Sequence, residues 1–190
     1  RQVYLARILA KKGYEVAVYG LCERVHDERI REATSLKEAL KEVDAAVGPV
    51  PFIRSGKITG TYEVPDMNVE MLLDELPDNA VFFAGNIPDE VRRYAEGKGL
   101  RACDMMIDEL VAARNAVATA EGAVAEAIAR SPVNLTKSRC LVLGYGRCGR
   151  ILMRLLKSFF CKVLVSEKDK TRAADAFVLA DGIVSEAELT

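Results

Sequence analysis

The chain has 190 residues, half of them hydrophobic and 29% charged, with no Trp; such a composition buries a core and argues against extended disorder. Its 27 Lys and Arg against 28 Asp and Glu leave a formal charge of −1, which offers no basic surplus for binding nucleic acid or an anionic membrane by charge. No apolar run approaches the roughly 18–20 residues that span a bilayer. The five cysteines form no CxxC pair and stand beside a single His, too few ligands for a Cys/His zinc cluster and a usage that reads as a reducing cytoplasm.

The elements alternate along the chain. Residues 3–10 carry apolar side chains at helical spacing, so 2–12 predicts a helix stopped by Gly13, and 15–19 (EVAVY) predicts a strand. That helix stands first with no strand before it, and 186–190 stops inside another helical pattern; the chain reads as a fragment truncated at both ends. Ser35 with Glu38 three positions later forms a capping box for a helix over 35–43. A short buried strand over 44–48 then ends in the turn Pro49-Val50-Pro51. Residues 52–65 predict a loop or small hairpin, 67–75 a helix, 80–84 (AVFFA) an apolar strand, 88–97 a short helix and 100–106 an edge strand. This order favours a parallel sheet with helices on both faces. The loops Pro49-Val50-Pro51 and Gly85-Asn86 both follow strands, the rim of an α/β cleft, and are candidate substrate contacts.

From about 109 to 130 an alanine-rich run with Gly122 as its one breaker predicts a long helix, ended by Ser131-Pro132. The lobes are expected as 1–114, a helix and linker over 115–136, and 137–190. The third begins with a strand run, Cys140-Leu141-Val142-Leu143, that enters Gly144-Tyr145-Gly146-Arg147-Cys148-Gly149 directly, followed by helical periodicity at Ile151, Leu152, Leu155 and Leu156 and a strand over 162–166. This is GxGxxG where a dinucleotide fold needs it. Gly144 permits the tight turn, Gly146 admits a pyrophosphate to the backbone, and Gly149 lets the helix sit close to the strand. The helix N-terminus supplies N–H groups and partial positive charge. Glu167, 23 positions after Gly144, stands where an acid meets the adenosine ribose of NAD; its neighbour Lys168 suits the 2′-phosphate of NADP, and solvated charge is the plain alternative for both. Residues 168–190 hold a helix start over 171–177 and a strand over 182–185, short of a second βαβ half.

The segment Asn115-Ala116-Val117-Ala118-Thr119-Ala120-Glu121-Gly122-Ala123 ahead of Leu141-Val142-Leu143-Gly144-Tyr145-Gly146-Arg147-Cys148-Gly149 resembles the dipicolinate synthase A-subunit family, which has an N-S-x-P-T-x-E-G-A-like helix start before a V-L-G-x-G-R-x-G fingerprint. Arg1-Gln2 matches the tail of that family's G-G-D-x-R-Q turn, and Gly85-Asn86-Ile87 a loop after a strand. The resemblance implies an α/β fold with a flavodoxin-like N-terminal lobe followed by a Rossmann-type dinucleotide-binding lobe. It implies a cytoplasmic oxidoreductase of spore-forming bacteria that converts a lysine-pathway dihydrodipicolinate-type precursor to pyridine-2,6-dicarboxylate with NADP or NAD. A flavoprotein-like B-subunit and a homo-oligomer are the implied partners. The chain departs from the family at Ala116, where Ser is usual, at Ala118, where Pro is usual, and at Glu167-Lys168, where Ala-Arg is usual.

Such chemistry needs a hydride acceptor, contacts for two carboxylates and a proton acceptor. Arg1 and Arg147 are candidate anion contacts, Arg147 also reading as solvated. Asn115 and Thr119 share a helix face, and Thr119 suits a nicotinamide amide or a substrate carboxylate. Glu121 reads either as a base or arginine orienter or as an acid favoured by the helix dipole. Cys148 reads as a small packing residue, and no metal site is expected. Two alternatives share the fingerprint: a nucleotide-sensing regulatory module without catalysis, and another two-lobed NAD(P)-dependent dehydrogenase.

Overall fold

The computed structural model describes residues 2–21, 25–60, 64 and 66–188. Contacts divide the chain into two units, Arg1–Ile107 and Asp108–Thr190. In the first, α1 (Gln2–Lys11) buries Ala6 and Ala10 one turn apart, and Gly13 ends it at φ +90°. The chain returns as β1 (Val16–Val18), which pairs in parallel with β2 (Ile30–Glu32). The sequence reading misses β2, whose three residues Ile30, Arg31 and Glu32 bury only one side chain. α2 (Leu36–Leu40) follows, with the Ser35 hydroxyl accepting the Glu38 N–H at 3.1 Å. The return arm of the capping box is displaced by one residue: the Glu38 carboxylate accepts the N–H and hydroxyl of Thr34, at 2.8 and 2.6 Å.

A parallel sheet follows, made of β3 (Ala45–Val47), β6 (Val81–Ala84) and β7 (Arg101–Asp104) in the order β3-β6-β7, so β7 is the expected edge strand. β4 (Ile53–Arg54) and β5 (Lys57–Ile58) form the small hairpin, and α3 (Val69–Glu75) and α4 (Asp89–Gly97) the helices. Phe52 and Phe82, fully buried and meeting edge to face at 5.0 Å, anchor a core shared with Leu73, Val91 and Ala95. β3 departs from the buried strand expected: Ala45 and Val47 are exposed because the strand has a neighbour on one side only among the described residues.

The second unit opens with α5 (Glu109–Arg130), capped by Asp108, whose carboxylate accepts the N–H groups of Leu110 and Val111. Its buried residues Ala112, Ala116, Ala120 and Val124 recur every four positions and form a low ridge against α6 (Arg147–Ser158). Ala118, standing where the related family has Pro, leaves this helix unbroken. β8 (Arg139–Leu143), β9 (Lys162–Ser166) and β10 (Gly182–Ile183) pair in parallel in the order β10-β9-β8, with α7 (Lys170–Phe177) between the last two and a 3-10 turn over Glu186–Glu188. Met153, Val163 and Val165 are fully buried. β8 is not the buried strand that its apolar run predicts. Val142 alone is buried, while Leu141 and Leu143, on the opposite face of the strand, are 42% and 71% exposed, because nothing among the described residues covers that face. No helix among the described residues is long and apolar enough to cross a membrane.

Candidate functional site

In the second unit β8 delivers the chain into the 144–149 turn, and α6 begins within the motif, with Gly146 as its N-cap. Gly144 takes φ +87°, a left-handed conformation that favours glycine, and its N–H donates to the Ser166 carbonyl at 2.8 Å, fastening the turn to the end of β9. A Cβ on Gly149 would collide with the Gly144 carbonyl oxygen, so the first turn of α6 presses on the strand exit only because that residue has no side chain. In front of Gly144 and Gly146 the space is open. No side chain caps α6, which leaves its first N–H groups and the positive end of its dipole facing that space. Open space before two glycines and N–H donors without a side-chain cap fit a pyrophosphate.

The remaining predicted cofactor residues surround this turn. The Glu167 carboxylate accepts the Tyr145 N–H at 2.6 Å and the Asp169 N–H at 2.9 Å, and so ties the loop after β8 to the loop after β9. These bonds, Asp169 first and Tyr145 second, hold its pKa below the usual carboxylate value. Lys168 is adjacent and exposed. The Tyr145 ring is buried in the core, with the Arg150 guanidinium 5.4 Å from its centroid. Arg147 stands in the first turn of α6 and donates to the Glu109 carboxylate through two of its guanidinium nitrogens, the Nε bond being 3.2 Å. Cys148 is exposed, not packed as expected.

Asn115, Thr119 and Glu121 do not sit at a helix start. α5 begins at Glu109, so all three lie within it, and Glu121 gains nothing from the N-terminal dipole. The Thr119 hydroxyl donates to the Asn115 carbonyl at 2.8 Å. Glu121, two residues on, points to the other side of the helix. The three do not form one cluster.

In the first unit the predicted substrate loops do meet. The Gly85 N–H donates to the Pro49 carbonyl at 3.2 Å, and the Phe52 N–H to the Gly85 carbonyl at 2.7 Å. A Cβ on Gly85 would stand 2.5 Å from a Val50 methyl, so glycine is required where the Val50-Pro51 loop, with its cis peptide, closes over the strand end. Asn86 takes φ +54° and is exposed. Arg1 lies outside the described residues. Asp104, which the sequence reading misses, organises the cluster. Only 7% of its side chain is exposed, and it accepts the N–H groups of Asn86, Ile87 and Met106 at 3.0, 2.9 and 2.8 Å, with an Arg92 nitrogen 3.8 Å away. Its one legible signal is an acid closing a strand after Ala102 and Cys103. Just beyond β1, the Tyr19 hydroxyl donates to Asp66, which also accepts the Leu36 N–H at 2.8 Å; the carboxylate partner pushes the Tyr19 pKa up to about 12. Among the described residues no group of three or more His, Cys, Asp or Glu could hold a metal ion.

Parallel strands feeding a glycine turn and an uncapped helix define the second unit as Rossmann-type, joined in one chain to a first α/β unit of parallel strands. A family model, the N-terminal domain of the dipicolinate synthase A-subunit, matches residues 1–106, and the chain belongs to that family. Among solved structures it resembles the dipicolinate synthase A chain from Bacillus subtilis, with 19% identity and a TM-score of 0.64 over 99% of this chain and 64% of that one. The corresponding A-subunit from Bacillus halodurans matches with 19% identity and a TM-score of 0.77, over 98% of this chain and 66% of that one. A transhydrogenase from Sinorhizobium meliloti matches with 14% identity and a TM-score of 0.59, over 98% and 60% respectively. The chain thus spans somewhat less than two thirds of the length of these structures. No curated protein matches it.

Proposed function

We propose that the second unit binds a nicotinamide dinucleotide at the 144–149 turn, and that the protein is an oxidoreductase of dipicolinate synthase type. The observation that carries the reading is the turn itself. Open space before Gly144 and Gly146, a Gly149 that tolerates no side chain, and an α6 N-terminus without a side-chain cap together suit a pyrophosphate. A bound nicotinamide supplies the acceptor for a hydride. The chain's own part is to hold and orient: α6 N–H groups and Arg147 for the phosphates, Glu167 beside the adenosine ribose, and Asn115 and Thr119 on one face of α5. Pro49, Val50, Pro51, Gly85 and Asn86 offer a rim for a small dicarboxylate. Family membership over residues 1–106 supports a lysine-pathway dihydrodipicolinate-type substrate, pyridine-2,6-dicarboxylate as product, and a flavoprotein-like B-subunit as partner. Between the cofactors, a Glu167 carboxylate fixed by two backbone N–H groups and held ionised favours NAD, since it would repel a 2′-phosphate.

The test supplies the full-length protein with freshly condensed aspartate semialdehyde and pyruvate, with NAD or NADP, and with or without the B-subunit. Pyridine-2,6-dicarboxylate is followed by its sensitised terbium luminescence. Product that depends on a nicotinamide cofactor is the expected result. No product from a protein that still binds the dinucleotide by calorimetry overturns the substrate while leaving the nucleotide site. A folded Gly146→Val variant that retains dinucleotide affinity overturns the site itself.

A further inference from the structure

Two thiols and a hydroxyl meet where β8 and β9 begin. Arg139 pairs with Lys162 and Cys140 with Val163 in the parallel register of these strands, so Ser138 and Cys161 stand opposite each other one step before the ladder. Side chains two apart share a face of a sheet, which puts Ser138, Cys140 and Cys161 on one side, Cys140 diagonal to Cys161. The Ser138 hydroxyl oxygen lies 3.5 Å from the Cys140 sulfur and 3.8 Å from the Cys161 sulfur. A hydroxyl has one proton, and Ser138 donates it to the Leu135 carbonyl at 2.7 Å. The Cys161 thiol donates to that same carbonyl at 3.0 Å. Ser138 therefore meets the sulfurs as an acceptor, and Cys140 is the thiol with a proton to give it. The two thiols also act on each other. Burial pushes the Cys161 pKa above the usual thiol value, Ser138 pulls it down, and the Cys140 thiol pushes it up again. An open cavity of about 460 Å³, lined in part by Lys157, Cys161 and Lys162, gives a small molecule a route to the pair.

We propose that Cys140 and Cys161, brought together across β8 and β9 around Ser138, are a redox pair that a peroxide closes to a disulfide. The peroxide takes one thiol to the sulfenic acid and leaves as water. The second sulfur then attacks the first, the S–S bond forms, and a second water departs. Two thiols lose two hydrogens, and the peroxide is reduced to two waters. Cys161 stands just outside the paired ladder, in the turn from α6 into β9, where the chain can yield. A bridge between diagonal positions still has to draw the two strand starts together. It is strained, and strained disulfides are the readily reduced ones. The pair is thus a reversible modification site and not a permanent staple. It ties β8 to β9 at the ends away from the 144–149 turn.

Peptide mapping of the full-length protein tests this without reference to nucleotide or substrate, so its failure leaves the proposed function standing. The reduced protein is treated with hydrogen peroxide, quenched, alkylated under denaturing conditions and digested with trypsin. Cleavage after Arg139, Arg147, Arg150, Lys157 and Lys162 places Cys140 in peptide 140–147, Cys148 in 148–150 and Cys161 in 158–162. The expected product joins 140–147 to 158–162, two hydrogens lighter than their sum, and dithiothreitol separates it. Cys140 and Cys161 are lost to alkylation together, and Cys140→Ser abolishes the linked species. Full alkylation of both thiols after a treatment that has oxidised the exposed Cys148 overturns the pair. So does a linkage of either thiol to Cys148 in its place, or a 140–147 to 158–162 link that forms as readily in urea.

Discussion

Both units end their parallel strands in a loop cluster, and both build it from the same two devices. In each, one glycine stands where a Cβ cannot: Gly149 against the Gly144 carbonyl in the second unit, Gly85 against Val50 in the first. In each, a carboxylate at the end of one strand accepts backbone N–H groups of the loop that follows its neighbour. Glu167 holds Tyr145 in the second unit, and Asp104 holds Asn86 and Ile87 in the first. The difference lies in burial and in what the loop leaves free. Asp104 is almost wholly enclosed and spends itself on three N–H groups, with Arg92 alongside, whereas Glu167 is half-buried and borders open space. The first cluster is closed by its own contacts; the second keeps its donors facing outward.

The largest way to break this comparison is Gly149→Val. Its side chain has no room against the Gly144 carbonyl, and overpacking of this kind costs about 1–3 kcal/mol or more where backbone must move. Thermal unfolding should show the loss, and calorimetry should show dinucleotide binding gone. Asp104→Ala comes next. Stranding buried N–H groups costs about 1–3 kcal/mol, so the unfolding midpoint in urea should fall, with Asp104→Asn recovering part of it; an unchanged midpoint would mean that solvent replaces the carboxylate freely. Glu167→Ala should leave global stability nearly intact while raising the affinity for NADP relative to NAD several-fold by calorimetry. An unchanged ratio would return Glu167 to the role of a loop tie alone.

The smallest effect belongs to Tyr19. Losing its hydrogen bond to Asp66 in Tyr19→Phe should cost about 1 kcal/mol at neutral pH. The folded pKa of Tyr19 is raised from 10.0 to about 12, so the wild-type advantage is complete below pH 10 and disappears as pH rises toward 12. Asp66 is shifted downward, chiefly by the Tyr19 hydroxyl, so its contribution holds above its ordinary value and fades on acidification. Urea unfolding of both proteins across pH should converge at the alkaline end.

The second cluster was legible in the sequence because its signature is local. Three glycines at fixed spacing between an apolar strand run and an amphipathic helix state a geometry by the absence of side chains. The first cluster was legible only as loops after strands. Asp104 reaches N–H groups 17 and 18 residues earlier in the chain, and no spacing rule links an acid to partners across a neighbouring strand. Elsewhere the hydrophobic pattern named the elements but misjudged their neighbours. Leu141, Leu143 and Val47 are apolar strand residues that an apolar run assigns to a core, yet they lie on faces that the described residues leave uncovered. β2 escaped because three residues with one buried position carry no period.

The contact between Gly149 and the Gly144 carbonyl has a thermodynamic consequence for whatever enters the turn. With α6 held from one side by the alanine ridge of α5 and from the other by the strand exit, its first turn has nowhere to retreat. The donors are fixed before any ligand arrives. Association then spends little on freezing the loop, and the entropy it surrenders is chiefly that of the incoming molecule.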